Sequence, residues 1–386
     1  MDLKKLGWNE NREEEFREFK QREFIPGRVA FETKNIYKVI TEKGELKAEL
    51  SGRMWYDIQE ADSTKGDLPT VGDWVAVTHK ENDEIALIHT TLKRFSKFSR
   101  KNKRAGGMKL TSFEGVSFLD GGTTEEQILA ANIDNVFYVC SVASKVNLSV
   151  IERFLTMVWE CGANPIIVCN KIDLNENYID LLEQIESISM GVPVIGVSGL
   201  KDFNIAGFDK FLQEGKTSTF VGSSGVGKST LINAIAGEKV QLVKEIRDSD
   251  GKGRHTTTAR EMVILEKRGI LIDTPGLREM QIWGEIDSLG KTFADIEILM
   301  TQCRFRNCNH DCEPGCAVTT ALDDGTLKAE HYASYVKQKR EIRFLMQKKD
   351  ERIKRLNKKR TGKIRKKIER IEILQRNKEK KRQVQV

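Results

Sequence analysis

The chain has 386 residues, 39% of them hydrophobic and 31% charged, which allows two or three domains with separate cores. No apolar run approaches the roughly 20 residues that span a bilayer, and the polar N-terminus lacks the apolar core of a secretion signal, so we expect a cytoplasmic protein with no membrane partner. The net charge of +7 divides into −9 over residues 1–336 and +16 over residues 337–386, which suggests a polyanionic partner such as nucleic acid.

The first hundred residues predict an extension followed by a small β domain. Residues 1–26 are polar and indicate a short exposed helix. Over residues 27–100, apolar and polar residues alternate around the turns EKGE and KEND, a pattern that predicts a small antiparallel barrel or sandwich. The basic segment 93–107 fits a solvated loop or a nucleic-acid contact, of which we favour the loop, and residues 101–125 are expected to be a linker.

Residues 126–285 change to an alternation of apolar strands and amphipathic helices. This alternation predicts an α/β domain with a mostly parallel sheet covered on both faces. The predicted strands are 135–142, 164–170, 192–199 and 217–222, the predicted helices are 149–162, 177–188, 208–214 and 229–237, and a hairpin is predicted over 260–276.

A phosphate-binding loop lies between the strand at 217–222 and the helix that follows it. The spacing Gly222-x-x-x-x-Gly227-Lys228-Ser229 lets backbone N–H groups face a β-phosphate, next to the positive end of the helix. Lys228 is predicted to bridge the β- and γ-phosphates, and the Ser229 hydroxyl to ligate Mg²⁺. The predicted contacts of this loop are Gly222, Ser223, Ser224, Gly225, Val226, Gly227, Lys228, Ser229 and Thr230.

The tetrapeptide NKID, upstream of that loop, indicates that the base is guanine. It follows a strand, at the sheet edge where α/β proteins bind ligands. The carboxylate of Asp173 can accept both the N1–H and the 2-amino proton of guanine, a pairing that adenine cannot offer. The predicted base contacts are Asn170, Lys171, Ile172 and Asp173, with Ser198 and Gly199 offering backbone N–H groups to the guanine carbonyl.

The segment DTPG, which begins at Asp273, predicts the magnesium and γ-phosphate contacts. Asp273 is expected to hold Mg²⁺ through water, and the Gly276 amide to contact the γ-phosphate. The segment 251–258, GKGRHTTT, lies where a first switch region belongs. One of its three threonines at 256–258 should reach Mg²⁺, and we favour Thr257.

The residue that orients the attacking water is less evident. In Ras-type enzymes a Gln after DxxG does so, and here that position is Leu277, which cannot. Either another side chain orients the attacking water, or hydrolysis stays slow until a partner completes the site. His255 is the best internal candidate for a catalytic role, the alternatives being a phosphate contact or an exposed loop residue.

The nucleotide-binding motifs occur in a rotated order. The base motif and the guanine-carbonyl loop precede the phosphate loop, the switch segment and DxxG, which predicts a circularly permuted GTPase. The usual termini would be joined through residues 201–216. The segment after Gly276 then leads directly into the C-terminal region, so that loss of the γ-phosphate can act on that region.

A metal site is predicted in residues 286–335, and after Trp283 the chain is expected to be irregular around the cysteines. Five soft ligands occur within fourteen positions: Cys303, Cys308, His310, Cys312 and Cys316. In a cytosolic protein such a cluster indicates structural zinc, which takes four ligands, so either His310 or Cys312 completes the set with the other three cysteines. The intervening 304–306, Arg-Phe-Arg, is a candidate RNA contact. Cys140, Cys161 and Cys169 lie in apolar segments and are expected to be buried thiols.

A long charged helix is predicted from about Lys328, and residues 336–386 form its basic tail. Ile364, Ile368 and Ile371 form a narrow apolar stripe at helical spacing. The excess of positive charge predicts that the tail binds rRNA, with a solvated helical extension as the alternative.

With GSSGVGKST, GRHTTT, DTPG and CxxxxCxHxxxxxC in this order, residues 27–330 resemble the RsgA family, the ribosome small-subunit-dependent GTPases. The resemblance implies an α/β, circularly permuted P-loop GTPase domain with an N-terminal OB-fold barrel and a C-terminal zinc-binding, helical domain. It implies hydrolysis of GTP to GDP with Mg²⁺, stimulated by the small subunit and its rRNA, in late maturation of that subunit; we expect a monomer. The family pattern also selects the zinc ligands and gives a catalytic role to His255. Those ligands are Cys303, Cys308, His310 and Cys316.

Three departures accompany the resemblance: Ser198-Gly199 stands where Ser-Ala is commoner, Cys312 is an extra thiol, and the basic tail is longer than the family needs. A competing hypothesis is a GTP-gated, zinc-dependent RNA-binding protein that acts on another RNA and whose turnover is incidental. Leu277 gives this alternative some weight.

Overall fold

The computed structural model describes residues 1–33, 36–60, 68–80, 83–103, 108–113, 116–121, 124–237, 260–273, 286–310, 313–347, 350–351 and 354. Within these ranges no helix combines the length and the apolar character needed to cross a bilayer.

The N-terminal extension contains the short helix predicted for it, and most residues of that helix are exposed, but the extension is anchored in the core by a few buried side chains. A 3₁₀ turn, Leu3–Leu6, is buried at both of its ends, and helix α1, Glu10–Lys20, buries Phe16. The turn and the helix are separated by Trp8, whose ring packs edge-on against the buried Trp74, 4.8 Å between ring centroids. The composition of the N-terminal extension is largely polar and therefore suggested exposure, but several of its apolar side chains are buried and fix the extension against the rest of the protein.

A five-stranded barrel follows. Its elements are β1 (Ile25–Thr33), β2 (Ile36–Thr41), β3 (Gly44–Leu50), α2 (Gly52–Glu60), β4 (Trp74–Thr78) and β5 (Ala86–Thr91). The strand order is β1-β2-β3-β5-β4, and the additional β1–β4 pairing closes the barrel. Alternate residues such as Val39, Val75 and Ile88 fill its interior. Four of the five strand pairings are antiparallel, and β3 pairs with β5 in parallel. Closure of the short sheet removes its free edges, and the OB-like barrel expected from the sequence is confirmed.

The segment after the barrel forms strands where the sequence favoured a loop. Two antiparallel ribbons are present, β6 (Lys97–Lys103) with β9 (Thr124–Ala131), and β7 (Met108–Phe113) with β8 (Val116–Gly121). The prediction of a solvated loop is therefore wrong at β6. Its composition is basic and polar apart from Phe98, so its strand form depends on a partner more than twenty residues later, which local patterning does not show.

The α/β domain has the alternation predicted for it. Its elements are β10 (Asn135–Ser141), α3 (Leu148–Cys161), β11 (Asn164–Asn170), α4 (Tyr178–Ile188), β12 (Val194–Val197), β13 (Thr217–Val221), α5 (Lys228–Ala236), β14 (Arg260–Ile264) and β15 (Ile270–Asp273). The order is β12-β11-β10-β13-β15-β14, with only β14 antiparallel to its neighbour in this part of the sheet. The cysteines Cys140 and Cys169 are buried as expected, whereas Cys161 is half-buried.

One helix of this domain was predicted wrongly. In place of a helix over 208–214 the chain forms a 3₁₀ turn, Ile205–Phe208, followed by further turns. Phe208 and Leu212 are both buried. A segment this short buries two apolar side chains four residues apart in consecutive turns as well as in a helix, so the periodicity did not distinguish the two.

The C-terminal region is helical on both sides of the cysteine cluster. Its described helices are α6 (Ile286–Thr292), α7 (Ala294–Thr301), α8 (Ala317–Asp323) and α9, residues 329–347. Phe293, Ile296 and Tyr335 form the centre of its core. The prediction of irregular chain around the cysteines after Trp283 is wrong for α6 and α7, whereas the predicted helix from about residue 328 is confirmed over residues 329–347.

Candidate guanine-nucleotide site and metal centre

The phosphate loop joins β13 to α5, and its backbone requires glycine. Gly222 has φ +148°, and a Cβ there would lie 2.3 Å from the carbonyl oxygen of Val139 on the neighbouring strand β10. Gly227 has φ +95°, and a Cβ there would lie 2.4 Å from the side-chain nitrogen of Asn170. Both positions therefore combine a left-handed backbone with a close approach, which allows the loop to bend tightly before the helix begins.

Lys228 is the first residue of α5 and bends back over this loop. Its ammonium group donates to the carbonyl oxygens of Gly222, at 2.8 Å, and of Ser223, at 2.7 Å. The positive charge is thus held above the loop, beside the N–H groups of the helix N-terminus. This arrangement suits the β- and γ-phosphates of a nucleotide.

Asn170 joins three segments that are far apart in sequence. Its Nδ2 donates to the Val226 carbonyl at 2.8 Å, and its Oδ1 accepts from the backbone N–H of Gly199 at 3.2 Å. Next to it, the Lys171 ammonium donates to the Gly225 carbonyl at 2.7 Å. The base motif, the guanine-carbonyl loop and the phosphate loop are therefore in direct contact, as a single nucleotide site requires.

Asp173 is kept ionised at the open side of this cluster. A hydrogen bond from the Ser198 hydroxyl, with smaller contributions from Lys201 and Lys171, lowers the pKa of its carboxyl. The nearest Lys201 and Asp173 charged atoms are 3.9 Å apart. A charged carboxylate is the form that accepts two protons from guanine, so the electrostatics agree with the role predicted from the sequence.

The amides predicted to bind the guanine carbonyl have internal partners. Ser198 N–H donates to the Phe203 carbonyl at 3.2 Å, and Gly199 N–H is bound to Asn170 as described above. The N–H of Leu200 at the tip of this loop has no hydrogen-bond partner among the residues described. Sequence reasoning missed this amide, because the bridge between Ser198 and Phe203 that turns the loop is not visible in the local pattern.

Asp273 ends strand β15, and β15 lies next to the strand that leads into the phosphate loop. Thr217 of β13 pairs with Ile270, and the Thr219 hydroxyl donates to the Ile272 carbonyl at 2.9 Å. The backbone of Asp273 is thereby placed at the same sheet edge as the loop. Ser229, which is predicted to ligate Mg²⁺, lies in the first turn of α5 next to Lys228. The remaining predicted magnesium, switch and catalytic residues lie outside the described residues: His255, Thr257, Gly276 and Leu277.

Four soft ligands converge between α7 and α8. The ligand atoms of Cys303, Cys308, His310 and Cys316 all lie within 4.8 Å of one another. His310 Nδ1 is 3.5 Å from the sulfur of Cys303 and 3.7 Å from that of Cys316, and those sulfurs are 3.9 Å apart. A tetrahedron with zinc–sulfur bonds of about 2.3 Å has edges of about 3.8 Å, so the cluster fits zinc. Cys312 lies outside the described residues.

Cys316 is prepared to act as a thiolate. Burial alone would raise the pKa of its thiol, but hydrogen bonds from Thr319 at the start of α8, and from His310, outweigh burial and lower the pKa to about 6. The sulfur accepts from the Thr319 backbone N–H at 3.4 Å. Because thiolates, not thiols, bind metal, this environment favours the metal-binding form.

Comparison with known proteins agrees with this geometry. The sequence model of the RsgA GTPase matches residues 117–283. Small ribosomal subunit biogenesis GTPase RsgA 1 of Oceanobacillus iheyensis is 37% identical over 327 residues, 84% of this chain and 87% of that protein. Small ribosomal subunit biogenesis GTPase RsgA of Opitutus terrae is 36% identical over 373 residues, 94% of this chain and 96% of that protein.

Solved structures give the same result. YjeQ from Thermotoga maritima superposes with a TM-score of 0.59 at 26% identity, covering 83% of this chain and 98% of that one. YloQ, described as a circularly permuted GTPase, superposes with a TM-score of 0.56 at 25% identity, covering 83% of this chain and 95% of that one. With the rotated motif order, the converged nucleotide site and relatives that match over most of its length, the chain belongs to the RsgA family of circularly permuted, GTP-hydrolysing enzymes.

Proposed function

We propose that this GTPase acts on the small ribosomal subunit in its late maturation, and that the subunit stimulates hydrolysis. The observation that carries the proposal is the contact of Asn170 with both the phosphate loop and the guanine-carbonyl loop, because it assembles one guanine-nucleotide site from the permuted segments. The names of the relatives, which assign them to small-subunit biogenesis, support this partner. They favour it over the alternative of a GTP-gated binder of another RNA.

The chain's own groups divide the work of binding. Asp173 accepts from the guanine base, the Lys228 ammonium balances the β- and γ-phosphates, and the N-terminus of α5 supplies N–H donors. Mg²⁺, when bound, neutralises charge on the β- and γ-phosphate oxygens. Ser229, Thr257 and Asp273 are the residues that would hold it, directly or through water.

We propose that His255, in the switch segment, is the catalytic group that orients or deprotonates the attacking water. Leu277 stands where Ras-type enzymes carry a Gln, and its side chain has no group that can orient water. A histidine can accept a proton from water or hold the water by a hydrogen bond. We expect His255→Ala to lose turnover while it keeps GTP affinity, and equal loss of both would assign His255 to binding instead.

The C-terminal region supplies the proposed contacts with rRNA. The protein itself is proposed to act as a monomer in the cytoplasm. A structural Zn²⁺ on Cys303, Cys308, His310 and Cys316 would hold the segment between α7 and α8, in which Cys316 is the only buried side chain among the described residues 303–310 and 313–316. Phe305 is 45% exposed, and the Arg304 guanidinium lies 5.4 Å from its ring centre, an arrangement suited to stacking on an unpaired base. If the tail after residue 354 binds rRNA, its removal must weaken subunit binding and flatten the salt dependence.

The test is steady-state GTP hydrolysis by the full chain alone, with purified small subunits, and with large subunits at equal concentration. We expect strong stimulation by small subunits only. Lys228→Ala serves as the matched control, since it keeps the zinc region and the tail but removes the phosphate contact. Equal stimulation by both subunits would contradict the proposed partner, and hydrolysis retained by Lys228→Ala would assign the measured activity to a contaminant.

A further inference from the structure

Strand β1 belongs to the barrel and to the GTPase sheet at once. Its first half, residues 25–28, pairs with β4 and closes the barrel, with Ile25 opposite Val77. Its second half pairs with β14 of the GTPase domain, with Phe31 opposite Glu261. The barrel and the GTPase sheet are therefore one continuous sheet of eleven strands.

A β-bulge makes this exchange of partners possible. On the β2 side, Val29 is opposite Val39 and Phe31 is opposite Lys38, so Ala30 is an extra residue without a partner. Bulges bend a strand and increase its twist. The bend at Ala30 therefore directs the end of β1 out of the barrel and onto β14.

The row of paired residues continues to the magnesium motif. Phe31 is opposite Glu261, and Glu261 is in turn opposite Asp273, the last residue of β15. Neighbouring strands lie about 4.8 Å apart. The backbone of Asp273 is thus two ladder partners away from Phe31 of β1, and β14 is the strand through which a shift of β1 at Phe31 would reach β15.

A second contact holds the other end of β15. The buried Arg28 of β1 donates from Nη2 to the Thr217 hydroxyl at 2.8 Å, and its guanidinium carbon lies 5.5 Å from the Trp74 ring centre. Thr217 pairs with Ile270, the first residue of β15. The barrel strand β1 is therefore connected to both ends of β15. At the start of β15, Arg28 is connected to Ile270 by way of Thr217. At the end of β15, Phe31 is connected to Asp273 by way of Glu261.

We propose that Phe31 and its ladder to β14 form a positioning element for Asp273, so that the affinity of the nucleotide site for Mg²⁺ depends on the barrel. This inference rests on the proposed role of Asp273 in holding Mg²⁺. Groups that orient metal ligands from outside typically change metal affinity or activity about 10- to 100-fold when they are removed. By linkage, an RNA that shifts the barrel shifts the magnesium-dependent part of GTP affinity, and the reverse holds as well.

The test compares two proline variants of the same strand in the full chain. Phe31→Pro interrupts the strand where it pairs with β14. Ile25→Pro is the matched control, since Ile25 is the first residue of β1, a position that tolerates proline, and it pairs with β4 only. The measured quantity is the dissociation constant for GDP in EDTA divided by the dissociation constant for GDP in millimolar Mg²⁺. The GDP affinity in EDTA shows whether the rest of the nucleotide site is intact.

We expect Phe31→Pro to reduce this ratio about tenfold while GDP affinity in EDTA stays within a factor of two, and Ile25→Pro to leave the ratio unchanged. If Phe31→Pro does not fold, Phe31→Gly weakens the same strand more mildly and is measured in its place. A ratio equal to that of the wild type in the folded Phe31 variant overturns the inference. If the ratio is near one in the wild type, or is the same in Asp273→Asn as in the wild type, the proposed role of Asp273 in holding Mg²⁺ is wrong.

Discussion

A buried histidine joins the C-terminal region to the GTPase domain, and its removal should make stability depend less on pH. His331 of α9 lies with Nδ1 2.6 Å from a Glu152 carboxylate oxygen on α3 and with Nε2 3.0 Å from an Asp295 oxygen on α7. The His331 side chain is only 8% exposed. Burial alone would lower the pKa of His331, but hydrogen bonds with Asp295 and Glu152 outweigh burial and raise the pKa to about 9.

The size of the effect follows from this pKa. A rise from about 6.5 to about 9 corresponds to about 3 kcal/mol, at about 1.4 kcal/mol for each pKa unit. Because the folded-state pKa of His331 is raised, this stabilisation is complete below pH 6.5 or so and is lost as the pH rises towards 9. His331→Gln also leaves Glu152 buried without its cation, and breaking a buried pair in this way costs about 3–5 kcal/mol. The other Glu152 oxygen has no partner within the described part of the chain.

Urea unfolding of the wild type and of His331→Gln between pH 6 and pH 9.5 measures the difference. We expect the stability gap to be largest near pH 6 and to shrink by about 3 kcal/mol by pH 9.5. His89→Gln is the control. Burial lowers the pKa of His89, so the stability of the wild type relative to this variant should fall as the solution is acidified. This pH dependence is opposite in sign to the one expected for His331. A gap that does not change with pH, or an imidazole NMR titration that puts the pKa of His331 near 6.5, would refute the reasoning.

Three further predictions concern the base, the metal and the domain junction. Asp173→Asn should weaken GTP about 10- to 100-fold, since a hydrogen-bonded charge is lost, and should favour xanthosine triphosphate in competition binding; an unchanged preference contradicts the base assignment. Elemental analysis should find one zinc per chain in the wild type and none in Cys303→Ser, whose C-terminal region should also be less stable, and stoichiometric zinc in that variant would show that another ligand set is used. Arg28→Met should lower the free energy of unfolding by about 3 kcal/mol in urea, because it leaves several buried acceptors without a donor, and equal stability would show that water replaces the guanidinium.

The sequence predicted the parts of the nucleotide site that are local. The phosphate loop and the base motif each depend on a few consecutive residues placed between one strand and one helix, and both lie where the pattern indicated. The sequence did not show how Asn170 ties these parts together, because the contacts cross 29 and 56 residues of chain. For the same reason it predicted by type and spacing the cysteine and histidine residues that cluster between α7 and α8, but not the hydrogen bond that Thr319 donates to Cys316.

The errors have a common physical origin. The anchored N-terminal extension, strand β6 and helices α6 and α7 gain their place or form from partners distant in sequence, so their local composition misleads. The clearest case is β6, a basic segment that becomes a strand because β9 lies beside it. Periodicity records which side of an element is buried, but it does not record what buries that side.

The junction between the two sheets shows why the domains cannot be treated as independent units. Without the barrel, β14 would be the outer strand of the GTPase sheet and would expose a row of unpaired backbone groups, which proteins generally cover. Here β1 covers that edge where Phe31 and Glu32 meet Glu261 and Arg260. The contact that protects the edge is also the contact that leads to Asp273. A substitution that separates the barrel from β14 should therefore expose the edge and loosen the magnesium motif together, whereas a substitution elsewhere in the barrel should do neither.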